Sequence, residues 1–114
     1  MAYLKNFSGS ILLKIDGDYI KEFSGQIRYK IDGNKIKDFY GKILYTIDGE
    51  KVKDFGGRII LVITQNQVKD FGGRILATFD STYIKDFGGM IQYKFDGFLT
   101  RIEKMTLLTL LYAS

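Results

Sequence analysis

The chain has 114 residues, with 17 Lys and Arg against 13 Asp and Glu, and its net charge of +4 is spread along the whole length. It contains neither Cys nor His, which excludes disulfides and thiolate metal sites and removes the commonest general base and metal ligand. Pro is also absent while Gly occurs 13 times, so chain reversals fall to glycine and Asx residues.

The first ten residues, MAYLKNFSGS, lack the apolar core of a signal peptide, and no run approaches the roughly 18 apolar residues of a membrane span. The expectation is one soluble, cytoplasmic domain over residues 1–114. A first strand is expected near Tyr3 to Asn6.

From there a sixteen-residue phrase recurs without insertion. Phe7, Phe23, Phe39, Phe55, Phe71 and Phe87 open each copy, Gly follows two residues later, and Ile two further on. Such self-similarity at fixed spacing marks a repeat architecture. Within a copy the apolar period is two, the pattern of a half-buried strand. Ile27, Tyr29 and Ile31, for example, alternate with Gln26, Arg28 and Lys30. The same alternation predicts that Ile11, Ile27, Ile43, Ile59, Ile75 and Ile91 line the interior. Ile15, Ile31, Ile47, Ile63, Phe79 and Phe95 form a second interior column. The shorter intervening strands are expected to bury one residue each: Leu4, Ile20, Ile36, Val52, Val68 and Ile84.

Asp16-Gly17, Asp32-Gly33, Asp48-Gly49 and Asp96-Gly97 separate alternating runs, which is a signal for type I′ hairpins. Thr64-Gln65 and Asp80-Ser81 break this rule, so longer or strained turns are expected there. The other reversal is Asp-Phe-x-Gly. If Ile36 and Tyr45 share a face, its loop needs an even number of residues. Phe39 to Lys42 is preferred over Tyr40-Gly41, because a four-residue loop spares Phe39 from water. Counting gives twelve antiparallel strands over about residues 3–95, with every Asp-Gly turn at one end and every Phe-Gly turn at the other.

After Gly97 the code stops. Thr100 followed by Glu103 is a capping-box arrangement ahead of an apolar run, predicting a helix over about 101–113. Apolar on nearly all sides, this helix is expected to be buried. The predicted fold is therefore all-β, a closed or curled barrel-like sheet with the C-terminal helix in or against it. Twelve strands leave too wide a centre for strand side chains alone, and a helix entering from the Asp-Gly end would fill it. Six splayed hairpins with the tail across one end are the alternative; a solenoid fits Asp-Gly turns less well.

The phrase DFYGKILYTIDGEKVKDFGG resembles the short hairpin repeats of bacterial β-flower proteins, a likeness running from about Leu4 to Gly97. Twelve strands followed by an apolar helix are also similar in layout to tubby-like barrels, including LURP-one-related proteins and scramblases. Some tubby-like domains bind phosphoinositides, but no matching basic motif occurs here, and no functional residue carries over.

No catalytic, metal or cofactor residue is expected. Glu22, Asp38, Asp54, Asp70 and Asp86 recur in equivalent surroundings, whereas acid–base catalysis needs two groups in different ones; they read as turn residues. DFGG and FGGR repeat where a catalytic motif would occur once. Three surfaces remain. Leu44, Ile60, Val62 and Leu76 are expected to stack into an outer apolar patch. Lys21, Lys37, Lys53, Lys69 and Lys85 form a belt that could meet an anionic lipid or polymer. Phe23, Phe39, Phe55, Phe71 and Phe87 gather around one rim. The expected function is a non-catalytic binding or scaffolding module for a protein partner or a second copy, with anionic recognition by the belt as the alternative. Charge spread this evenly gives no specific nucleic-acid motif.

Overall fold

The computed structural model describes residues 1–113, which form twelve antiparallel strands and one helix. In chain order these are β1 (Ala2–Asn6), β2 (Ile11–Asp16), β3 (Tyr19–Glu22), β4 (Ile27–Asp32), β5 (Lys35–Asp38), β6 (Ile43–Asp48), β7 (Lys51–Asp54), β8 (Ile59–Ile63), β9 (Gln67–Asp70), β10 (Ile75–Phe79), β11 (Tyr83–Asp86), β12 (Ile91–Asp96) and α1 (Arg101–Tyr112). Each strand pairs with its sequence neighbours and β1 pairs with β12, so the sheet closes into a barrel. Closure removes the unpaired strand flanks that an open meander would present.

The molecule measures 35 × 34 × 20 Å, the last being its depth. Twelve residues at about 1.5 Å each span roughly 18 Å, which matches that depth. The helix enters from the Asp-Gly end, where the Arg101 guanidinium donates to the Gly49 carbonyl at 3.1 Å. It leaves at the opposite mouth, where Tyr112 lies within electrostatic reach of Tyr93 and Asp86. Thr100 and Glu103 cap the entrance reciprocally, Glu103 N donating to Thr100 Oγ1 and Thr100 N to Glu103 Oε1.

The core forms between this plug and the wall. Leu107 and Leu108 of α1 and one residue from each short strand (Leu4, Ile20, Ile36, Val52, Val68 and Ile84) are fully buried. Thr106 and Thr109 are buried too, and their hydroxyls donate to the Ile102 and Met105 carbonyls at 2.7 and 2.8 Å. Satisfying each hydroxyl one turn back lets an apolar plug carry threonine without the cost of an unpaired polar group.

Turn chemistry differs from the sequence expectation at both ends. Asp16 pairs with Tyr19, Asp32 with Lys35 and Asp48 with Lys51, so the turn residues are Gly17-Asp18, Gly33-Asn34 and Gly49-Glu50. Only the glycines have positive φ, between 60° and 63°. A left-handed first residue alone is the II′ pattern, not I′. The turns at Thr64 and Asp80 are no longer than the others. Thr64 N donates to Gln67 O and Asp80 N to Tyr83 O, again leaving two residues between. Lacking glycine, these turns are closed by side chains. Thr64 Oγ1 accepts from Gln67 N, and Asp80 Oδ1 accepts from the Thr82 and Tyr83 amides.

The Phe-Gly loops contain three residues, not four. Asp38 N donates to Lys42 O at 2.9 Å and Gly41 N to Asp38 O at 3.0 Å, enclosing Phe39, Tyr40 and Gly41. A bulge in the following strand reconciles this odd number with the shared face of Ile36 and Tyr45. Ile36 stands opposite Tyr45, Lys37 opposite Ile43, and Leu44 is the extra residue. The same shift recurs at Lys5/Ile11, Lys21/Ile27, Lys53/Ile59, Lys69/Ile75 and Lys85/Ile91. The expected interior column of Ile11, Ile27, Ile43, Ile59, Ile75 and Ile91 is thereby corrected. Those isoleucines share the outer face of the lysines, and none belongs to the core.

Candidate functional site

All but one of the Phe-Gly loops are built by one device. Asp38 Oδ1 accepts from the Tyr40 and Lys42 amides, Asp54 Oδ1 from Gly56 and Arg58, and Asp70 Oδ1 from Gly72 and Arg74, all at 2.9–3.0 Å. Asn6 does the same with its amide oxygen, and Asp86 accepts from Met90 N. Glu22, one methylene longer, instead reaches Arg28 at 3.3 Å. The carboxylate column is thus employed in holding loops.

Each unit leaves its Phe at the first loop position, in water. Phe7, Phe23, Phe39, Phe55, Phe71 and Phe87 are 61–78% exposed. The four-residue loop that would have sheltered Phe39 does not form. The outward isoleucines widen this apolar crown. Phe39 borders a shallow hollow with Ile27, Tyr19 and Lys30, Phe23 borders one with Ile11, and Phe87 one with Ile75. Tyr40 meets Phe39 edge-on with centroids 5.3 Å apart, and Lys42 Nζ lies 5.9 Å from the Phe55 ring.

The lysine belt is largely neutralised. Lys5 pairs with Asp96 at 2.6 Å, Lys21 with Asp16 at 2.8 Å, Lys37 with Asp32 at 2.7 Å and Lys53 with Asp48 at 3.1 Å. The hydrogen bonds from Lys21, Lys37 and Lys5 hold the carboxyls of Asp16, Asp32 and Asp96 below their ordinary value. Where Thr64 stands and Asp80 turns to its own loop, Lys69 and Lys85 make no ion pair among the described residues.

The four residues expected to form an outer patch are separated by the bulge. Ile60 and Leu76 pack against the core, Leu44 holds the same bulge position half-buried, and Val62 stays outside between Lys51 and Lys69. Sequence reasoning missed the outward isoleucines. Their signal was present in the doubled apolar residues Ile43-Leu44, Ile59-Ile60 and Ile75-Leu76, which break strict alternation.

Inside the Phe-Gly mouth, burial raises the Tyr45 hydroxyl, with Tyr29 contributing. Burial, then Tyr93 and Asp86, push Tyr112 up to about 12. No group of three carboxylates among the described residues could hold a metal ion, and no helix there is long and apolar enough to cross a membrane. No family model matches the chain, and no curated protein or solved structure matches it.

Proposed function

We propose that this protein is a non-catalytic binding or scaffolding module that meets another protein through its phenylalanine rim. The observation that carries this reading is the row of six solvent-exposed phenylalanines at one end of the barrel. Exposed aromatic residues gathered at one end of a molecule are characteristic of an interface. Nothing in the loop geometry calls for phenylalanine at that position, since the turn is held by Asp and Gly. Kinship with β-flower repeats or tubby-like barrels belongs to the same reading, supported by the repeated hairpins and the threaded helix. So does a cytoplasmic setting, in keeping with a chain without cysteine.

Recognition of an anionic surface by the belt is the second reading. It draws on Lys69 and Lys85, but four lysines of the same column already face a carboxylate within 3.1 Å. Binding of that kind would weaken sharply above about 0.2 M salt, whereas an apolar contact would persist.

A photo-crosslinking amino acid placed in living cells at Phe71 or at Asn34, on the opposite end, tests the rim directly. Covalent adducts from Phe71 and few from Asn34 are expected. Adducts from Asn34 alone would overturn the assignment.

A further inference from the structure

We infer that the partner is a second copy of this chain, docked rim to rim about a two-fold axis; this rests on the rim being the contact surface. Size is the first argument. An elliptical end face with axes of 35 and 34 Å covers roughly 900 Å², about the 800 Å² per partner of a standard stable interface. Shape is the second. The loop hydrogen bonds from the Asp38, Asp54, Asp70 and Asp86 amides and carbonyls repeat within 0.1 Å, so these four loops share one conformation. Loops of one conformation can meet their counterparts on a second copy in equivalent ways.

Charge is the third argument. The chain carries +4 overall, yet Lys42, Arg58 and Arg74 each share a loop with the carboxylate of Asp38, Asp54 or Asp70. A locally balanced rim gains little from an anionic membrane and does not repel a copy of itself. The three cations occupy consecutive loops, and the other three loops carry Ser10, Gln26 and Met90 at that position. A two-fold axis can lay one arc on the other, the Lys42 loop on the Glu22 loop, the Arg58 loop on the Phe7 loop and the Arg74 loop on the Asp86 loop. The relation is reciprocal, as an isologous interface requires. Head-to-tail stacking lacks this fit, because the Asp-Gly end presents exposed Lys35, Asp48, Glu50 and Lys51, which would lose water against phenyl rings.

Sedimentation equilibrium from about 1 µM to about 0.5 mM reads the pairing. Wild type is expected to be a dimer, and F39S/F55S/F71S a monomer of unchanged circular dichroism and melting, because the replaced rings are exposed. K42E and E22K alone should each weaken self-association about tenfold or more, and mixing the two should restore a heterodimer. Wild type that stays monomeric, a ladder of higher oligomers, or a dimer indifferent to the triple change would overturn the proposal. If wild type stays monomeric while Phe71 still crosslinks to a different protein, self-pairing falls and the rim assignment survives. Flotation with phosphatidylserine vesicles that the triple change abolishes would overturn self-pairing in favour of a membrane.

Discussion

Lys37 stands opposite Ile43 across β5 and β6, while Ile36 beside it stands opposite Tyr45. One residue of β6 therefore has no counterpart, and its neighbours on either side point to opposite faces of the wall. Repeated in every hairpin, this bulge decides which apolar residues belong to the core and which to the surface.

Ile59 and Ile60 make that decision measurable because they are adjacent and identical. Ile60 packs against the core and Ile59 faces outward. Ile60→Ser is expected to cost about 2 kcal/mol and Ile59→Ser less than about 1 kcal/mol. Urea denaturation of the two variants gives the comparison, and the reverse order would refute the bulge assignment.

A second neighbouring pair tests the loop. Gly57 has φ of +87° whereas Gly56 does not lie in the left-handed region, and a Cβ on Gly56 would meet Asp54 Oδ1 at an ordinary 3.5 Å. Gly57→Ala should destabilise by about 1–2 kcal/mol. Gly56→Ala should be neutral or add up to about 1 kcal/mol by restricting the unfolded chain. Equal effects would contradict the loop conformation.

The plug holds the wall from within. Leu107→Ala or Leu108→Ala, each at a fully buried position, is expected to cost about 2–5 kcal/mol. Removing everything from Thr100 onward leaves a hollow ring with its apolar lining in water, and the truncated chain should lose solubility. Light scattering reads this, and a soluble, cooperatively melting truncate would argue that the helix is peripheral.

Two pH limits follow from the titrating groups. The amides of Tyr83 and Thr82 hold Asp80 below its ordinary 3.8. Its contribution is complete above that value and disappears as pH falls through the lowered folded pKa. Asp80→Asn should therefore flatten the acid limb of the stability curve. Tyr112 behaves oppositely, because its pKa rises from 10.0 to about 12. The folded state keeps a proton that the unfolded chain gives up, so stability declines as pH climbs from 10 towards 12. Tyr112→Phe should weaken that alkaline slope without lowering stability at neutral pH, as thermal melts across the range would show.

Much of the architecture was legible because the repeat is strict. The sixteen-residue spacing of Phe7 to Phe87, with Asp-Gly and Phe-Gly marks in step, yields twelve strands and two distinct ends. Thr100 and Glu103 give the helix start, and its apolar circumference gives its burial. The details were lost where one extra residue matters. Period-two reasoning assumes an unbroken ladder, so it sent Ile43 inward, whereas the register sets it beside the outward Lys37. Reading Asp16-Gly17 as the turn dipeptide overlooked that a glycine in first place can also use its positive φ. The rim itself was visible in the sequence, but its exposure was not. That followed from the three-residue loop and from the aspartate side chain turning to the amides.

Lys5 and Asp96 join at 2.6 Å across 91 residues of sequence, at the seam where β1 meets β12. One flank of β1 consequently stays bare until β12 is in place. Until the seam forms, that bare flank is open to pairing with a strand of another chain.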